Sequence, residues 1–435
     1  MAKTKSRKLL ISFESDIDAG NEENQTSRSE SSAEPEGAGK GLVWQFIALA
    51  SVPLVLVLGN SMLVPILPDM KRHMGISQFQ SSLVITLFSV TAGIVIPIAG
   101  YLSDRFSRKA VMIPALIIYG AAGILAGFGA VWNSYAVLIT ARAIQGLGAA
   151  GTAPIAMALI GDMYKDATES KALGLTEASN GAGKVISPIL GSLLALIVWY
   201  ASFFAFPVFC ALSLVAIIWL IKEPKKQKDP MPLGTYVKTI GDIFREKGRW
   251  LITSFLAGAL ALFILFGILF YLSNILEKPP YNIDGVVKGL VLAIPLLAMV
   301  TSAYITGSVI KKNGLLMRWL MNIGLAMMTL AFGLSIFFFR NIYVFIGLLT
   351  ISSIGTGFLL PCLNTMITGS VEKSQRGMIT SLYSSLRFLG VAFGPPLFGW
   401  MMGISNQKIF ITVSILSFIA LGLTFFLIKP AKEVK

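Results

Sequence analysis

Long apolar runs, each closed by a short polar break, recur along almost the whole chain. They fall near residues 42–67, 79–102, 110–131, 134–161, 170–198 and 200–222, then near 250–276, 286–310, 315–339, 342–368, 376–403 and 407–428. Each holds about the 20 residues that a helix needs to cross ~30 Å of hydrocarbon. The pattern predicts twelve membrane-spanning helices. Glycine and proline within the runs fit that setting, because neighbouring helices re-satisfy the backbone groups these residues free. The polar stretch 223–249, basic and holding Pro224, Pro230 and Pro232, divides the runs six and six. The expected organisation is a tail over 1–41, one six-helix half over 42–222, a cytoplasmic linker over 223–249, a second half over 250–428 and a tail over 429–435.

Composition excludes a soluble chain. Of the 435 residues, 55% are hydrophobic and 13% charged, against about 25% charged in soluble domains. The first 40 residues are the exception, basic and then acidic and serine-rich, with too little apolar surface to offset the entropy of ordering. They are expected to be disordered. No apolar core follows the early lysines closely enough for a secretory signal. Cys210 and Cys362 both lie in apolar runs, so no disulfide framework is implied.

The net charge of +14 is distributed in a way that points to a membrane and away from nucleic acid. Cations gather in alternate breaks: Arg105, Arg108 and Lys109; Lys165 and Lys171; Lys222, Lys225, Lys226 and Lys228; Lys311 and Lys312; Lys373 and Arg376. The intervening breaks near Trp132, Trp199 and Arg340 carry little charge. Cytoplasmic loops are the ones enriched in Lys and Arg, which places both termini in the cytoplasm of a multi-pass cell-membrane protein. Lys71, Arg72 and His73 sit on the wrong side of that scheme.

Several motifs have the order of a known family. The break Gly100-Tyr-Leu-Ser-Asp104-Arg105-Phe-Ser107-Arg108-Lys109 resembles the loop between helices 2 and 3 of major facilitator superfamily transporters, with Ser107 where that family usually has glycine. Arg142-Ala-Ile-Gln145-Gly146 resembles the family's helix-four motif. Gly183-x-x-x-Ser187-Pro188-x-x-Gly191-Ser192 is similar to the helix-five signature of the twelve-span drug/proton antiporters, with two glycines replaced by serine. Gly390-Val-Ala-Phe-Gly394-Pro395 echoes it in run eleven, as an internal repeat should. The resemblance implies an all-α fold of two pseudo-symmetric six-helix halves with a central site and alternating access. It implies a conformational latch at Gly100, Asp104, Arg105, Arg108 and Lys109. Asp104 is suited either to capping a helix N-terminus or to pairing with a cation of a neighbouring span. Small residues and prolines at Gly183, Ser187, Pro188, Gly191, Gly390, Gly394 and Pro395 permit close approach and bending, and serve gating or plain tight packing.

Charges inside the apolar runs are costly, at about 2.5–3.5 kcal/mol each on insertion scales. Arg142, Glu177, Lys184 and Arg387 stand out on that ground. Glu177 and Lys184 are seven residues apart, on one helix face and about 10 Å apart along the axis. Arginine keeps its proton, so Glu177 and Lys184 are the titratable coupling candidates; the resemblance adds Arg142. Arg387, Asn60 and Asn364 are the candidate substrate contacts, from opposite halves. Three deep cations against one shallower acid favour an anionic, zwitterionic or neutral amphipathic compound. His73, the one histidine, reads as a solvated loop residue.

No phosphate-cradling loop, metal-ligand cluster or catalytic triad is evident, so no cofactor, metal or enzymatic activity is expected. The expected partners are the lipid bilayer, protons and a small molecule, with no nucleic acid and no obligate protein. The functional expectation is efflux of small amphipathic compounds in exchange for protons. Export or flipping of a glycolipid, sugar or organic anion is a second reading, and a transporter-like receptor a third.

Overall fold

A computed structural model describes residues 36–224, 232–310, 313–369 and 373–428. The expected disordered tail lies almost wholly outside the described residues, as do linker residues 225–231 and the tail 429–435. Contacts group residues 46–435 as one compact unit and the chain up to Gln45 as another.

All the regular elements among the described residues are helices. The first expected span is α1 (Glu36–Ser61), a 3-10 turn (Val64–Ile66) and α2 (Leu67–Met74). Spans two and three are α3 (Gln78–Arg105) and α4 (Arg108–Val131). Span four is broken into α5 (Tyr135–Ala150) and α6 (Ala153–Met163). Spans five and six are α7 (Asp166–Ala195) and α8 (Ala201–Leu220). The second half runs α9 (Leu233–Leu276), α10 (Gly285–Ile310), α11 (Gly314–Phe338), α12 (Ile342–Gly369), α13 (Lys373–Met402) and α14 (Asn406–Leu427). α9 thus begins inside the segment expected to be linker and continues unbroken for 44 residues.

The breaks have local causes. Pro65 and Pro68 open the 3-10 turn and α2, and Pro154 opens α6, where a missing N–H costs nothing. α2 stops at Gly75, whose φ of 64° suits glycine. Ser77 and Gln80 then form a reciprocal capping box for α3. Ser107 explains its own departure from the loop motif: its hydroxyl accepts from the Ala110 N–H at 3.0 Å and caps α4.

Ten helical stretches among the described residues are long and apolar enough to cross a membrane. The two 30-residue helices outside that set are α7 and α13. Both carry charge and serine along their middles: Ser187, Ser192, Ser381 and Ser385 are buried, Lys184 and Arg387 half-buried, and Glu177 exposed. Elsewhere large apolar groups such as Trp219, Leu330, Phe418 and Phe426 are exposed, while serines such as Ser89, Ser202, Ser335 and Ser417 are fully buried. That inversion belongs to a protein whose exterior solvent is lipid and whose helices meet through small residues.

The helix pairings repeat. In the first half α4 packs on α5, α3 on α5 and α4 on α8; six spans on, α11 packs on α12, α10 on α12 and α11 on α14. Between the halves α3 packs along α13 and α7 along α10. Exchanging each helix for its counterpart converts one of these inter-half contacts into the other. Gly191 of α7 lies so close to α1 that a Cβ would sit 2.2 Å from the Met62 carbonyl, and Gly390 of α13 would sit 2.1 Å from that of Ala259 on α9. Gly183 and Gly394 face the same partners, Leu54 and Phe263. Ser187 donates to the Gly183 carbonyl within α7 at 2.5 Å, leaving the bend at Pro188 unobstructed.

Candidate functional site

The charged break between α3 and α4 forms a network at one end of the helices, called here the basic end. Arg108 pairs with Asp104 at 2.6 Å and Asp162 of α6 at 2.8 Å, and donates to Ser103 at 2.8 Å. Asp104 therefore takes the pairing role, and Ser107 and Glu223 take the capping role. The Glu223 carboxylate accepts from the backbone N–H of Arg108 at 2.6 Å and of Lys109 at 3.0 Å. Lys109 reaches back to the last carbonyls of α8, at Ile218 and Ile221. Among the described residues, Arg105 has only a 3.3 Å contact to the Tyr101 hydroxyl. Gly100 abuts α13, where a Cβ would meet the Ser381 hydroxyl at 2.7 Å. Sequence reasoning missed Glu223, although it is the first acid after span six.

At the opposite end lies a second network that sequence reasoning also missed. Arg72 of α2 pairs with Asp69 and reaches Glu277 at 3.6 Å. Lys288 of α10 pairs with Glu277 and reaches Asp69 at 3.9 Å. Each cation thus meets both acids in an alternating ring of four charges, two from each half. Burial is uneven: the Lys288 side chain is 2% exposed and that of Arg72 58%. Burial raises the Glu277 carboxyl above its ordinary value, against the pull of Lys288. The Gln78 amide donates to Asn274 at 2.7 Å beside the ring, and Ser273 donates to the Val64 carbonyl at 3.1 Å. The ring accounts for the cations on the wrong side of the charge pattern: Arg72 is tied to carboxylates. His73, expected as a solvated loop residue, is exposed but lies in α2, with its ring stacked 5.9 Å from Trp199 and Nδ1 2.9 Å from the Asp69 carbonyl.

Between these ends the four intramembrane charges have different surroundings. Arg142 is fully buried, and each of its three nitrogens has an acceptor. It donates to the Val84 carbonyl at 2.8 Å, the Gly59 carbonyl at 3.2 Å, Asn60 Oδ1 at 3.0 Å and the Gln145 amide oxygen, with its guanidinium 4.5 Å from the Phe88 ring centroid. It pins α5 to α1 and α3. Asn60, a candidate substrate contact, spends its oxygen on Arg142. Gly146 permits this closeness, since a Cβ there would be 2.3 Å from the Phe88 carbonyl.

Lys184 is half-buried and lines a cavity between the halves, with Ser61 of α1, Pro188 of α7, Leu265 and Phe266 of α9, and Leu292 of α10. Arg387 and Glu177 lie within electrostatic reach of it. Arg387 is half-buried on α13, stacked over Tyr383 at 5.4 Å, with its Nε unpartnered. Glu177 is exposed, one turn before Asn180, whose buried oxygen is also unpartnered. Of the three, Lys184 lines the cavity, and Glu177 and Arg387 do not. Asn364 is half-buried on α12 and does not line the cavity.

A model described as Major Facilitator Superfamily matches residues 49–331 and 280–435. The bacillibactin exporter of Bacillus subtilis (strain 168) is 44% identical over 391 residues, covering 89% of this chain and 97% of that one. Multidrug resistance protein 1 of the same organism is 24% identical, over 86% and 94%. Among solved structures, a human organic anion transporter (TETRAN) gives a TM-score of 0.69 at 19% identity, covering 88% of this chain and 99% of that one. A bacterial homolog of the human lysosomal transporter Spinster, inward-facing and unoccupied, gives 0.68 at 16% identity, covering 92% and 100%. The structural likenesses support the fold.

Proposed function

Because the chain belongs to the Major Facilitator Superfamily, we propose that it exports a small amphipathic compound across the cell membrane by alternating access, in exchange for protons. The basic end faces the cytoplasm in this reading and the four-charge ring faces out. The observation that carries it is the cavity around Lys184, built by helices of both halves and walled mostly by leucine, phenylalanine and proline. The cavity is closed here, with room for about one water, and alternating access would widen it to admit the compound. The bacillibactin exporter supports export and makes bacillibactin the first compound to assay. Multidrug resistance protein 1 supports efflux more broadly.

Opening at one end must accompany closure at the other. The ring of Asp69, Arg72, Glu277 and Lys288 can part with a neutral pair left on each half, Asp69 with Arg72 and Glu277 with Lys288. No isolated charge is left behind, which keeps the separation affordable in free energy. The Arg108 network at the basic end is held within the first half, by Asp104 and Asp162, and is positioned to dock or release α13 at Gly100.

The test is flux in proteoliposomes with an imposed pH gradient and a panel of cationic, neutral and anionic amphipaths that includes bacillibactin. The expected result is gradient-driven accumulation of one class, lost in Glu177→Gln. Flux indifferent to the gradient would overturn proton exchange and leave a facilitator or flippase.

A further inference from the structure

The two ends of the molecule join the halves differently. At one end the ring of Asp69, Arg72, Glu277 and Lys288 ties them by charge. At the basic end no ion pair among the described residues crosses between the halves, since Arg108, Asp104 and Asp162 all belong to the first. There the start of α9, the stretch expected to be linker, reaches across instead.

That stretch is bent against the rest of its helix. In a straight helix Phe244 and Phe255 would stand about 16 Å apart along the axis, yet their ring centroids are 5.9 Å apart. α9 therefore folds back between them, and Gly248 is the poorest helix former in that interval. Two ring contacts show what residues 233–247 span. Phe244 packs on Phe255, which in turn meets Tyr383 of α13 at 5.4 Å, all within the second half. About two turns earlier, Tyr236 packs edge-on against Tyr101 of α3 in the first half, at 5.1 Å. Roughly 12 Å of helix separates Tyr236 from Phe244, so the segment crosses the seam where α3 meets α13, at the end where Gly100 abuts Ser381. Burial follows the same side. Tyr236 and Ile243 are buried, whereas Leu233, Val237, Lys238, Asp242 and Arg245 are exposed. A connection that served only as a tether would have no need to bury a tyrosine against the opposite half.

We infer that residues 233–247 are a strap that holds the basic end shut, with Tyr236 as the residue that docks it on the first half. The inference rests on the alternating-access reading only for the claim that this end opens in turn. The strap is anchored in the second half by its continuity with α9 and by Phe244. It grips the first half at Tyr101, one turn before Asp104 and Arg105. Parting the halves at this end carries Tyr101 away and uncovers the Tyr236 ring, which disfavours the open arrangement. The bend supplies the hinge. A Cβ at Gly248 would meet only the tip of Ile252, 4.0 Å away in the same helix, so nothing from other helices crowds it. The two ends are thus closed by different chemistry, a ring of charges at one and an aromatic contact at the other.

The experiment measures the separation of the halves at the basic end by double electron–electron resonance. It uses the purified full-length chain in phosphatidylcholine nanodiscs, with Cys210 and Cys362 replaced by alanine. Spin labels are placed on cysteines at Phe106 and Leu315, exposed residues at that end of the first and second half. The parent protein should show a main population at short distance. Tyr236→Ala should shift the ratio of short- to long-distance molecules about 3- to 10-fold toward the long one, the loss of one aromatic contact. Phe244→Ala, at the anchoring contact, should shift it the same way and gives a second, independent variant. Tyr236→Phe keeps the ring and should match the parent, as should Val237→Ala at the neighbouring exposed position. Hydrogen exchange over residues 233–247 should quicken in Tyr236→Ala and not in Tyr236→Phe. Unchanged distances in both Tyr236→Ala and Phe244→Ala, or an equal shift in Val237→Ala, would overturn the strap. No substrate or pH gradient is present, so a failure of efflux or of proton exchange leaves these distances interpretable.

Discussion

Arg142 and Lys184 are both single cations in apolar runs, and the structure gives them opposite characters. Arg142 uses its planar fork to hold two carbonyls, an asparagine and a glutamine at once, which the point charge of a lysine does not reproduce. Arg142→Lys should therefore lower the unfolding temperature of the purified protein, and Arg142→Ala should lower it further. Each acceptor orphaned in the interior costs about 1–3 kcal/mol. An Arg142→Ala protein as stable as wild type would remove the pinning role. Ser107 gives a smaller and more local expectation. Ser107→Ala should cost about 1 kcal/mol through the lost cap on α4, and Ser107→Gly only a few tenths, read by thermal unfolding.

At the scale of helices, α7 and α13 are set apart by how closely they approach α1 and α9. A side chain at Gly390 would run into the Ala259 carbonyl, which is backbone and has no room to yield, whereas Gly422 of α14 has nothing within 4 Å. Gly390→Val should therefore abolish flux and destabilise the protein, and Gly422→Val should do neither, in the same liposome assay. Equal tolerance at both positions would mean that α13 does not need its close contact with α9. The helix set was legible from run length and hydropathy, including the two spans whose polar middles leave them least apolar. The breaks within spans one and four, at Pro65, Pro68 and Pro154, were read through as continuous, since proline is common in membrane helices. The long start of α9 was read as linker because Lys238, Asp242, Arg245 and Lys247 give it the composition of a polar connection.

Across the whole molecule, the ring of four charges ties the halves at one end, and its weight rests on the buried pair. Arg72 is largely exposed, and Arg72→Ala should change stability by no more than about 1 kcal/mol. Lys288→Ala strands Glu277 in a desolvated site and should cost about 3–5 kcal/mol. Glu277 also predicts a pH dependence. Its carboxyl is raised in the folded protein by burial, with Lys288, Asp69 and Arg72 as the charges facing it. A raised acid contributes stability that is fully present below its ordinary value of 4.5 and is lost as pH rises through the folded value. Glu277→Gln should remove that part of the decline above pH 4.5, as measured by unfolding temperature across a pH series. An unchanged pH profile would show that Glu277 does not titrate in this window.

What the sequence determined by itself was set by local chemistry: apolar runs long enough to be helices, caps and prolines that bound them, and the spacing of Glu177 and Lys184 on one face. Which charges are satisfied was decided by the tertiary structure alone. The acceptors of Arg142 at Gly59, Asn60 and Val84 lie 58 to 83 residues away in the chain. Two of the three are backbone carbonyls, a group every residue carries and no sequence pattern marks. The ring joins Asp69 and Arg72 to Glu277 and Lys288 across roughly half the chain. Electrostatics acts through space, so two cations that look alike in sequence become a hydrogen-bonded pin and a charge lining a cavity only when distant helices are brought together or held apart.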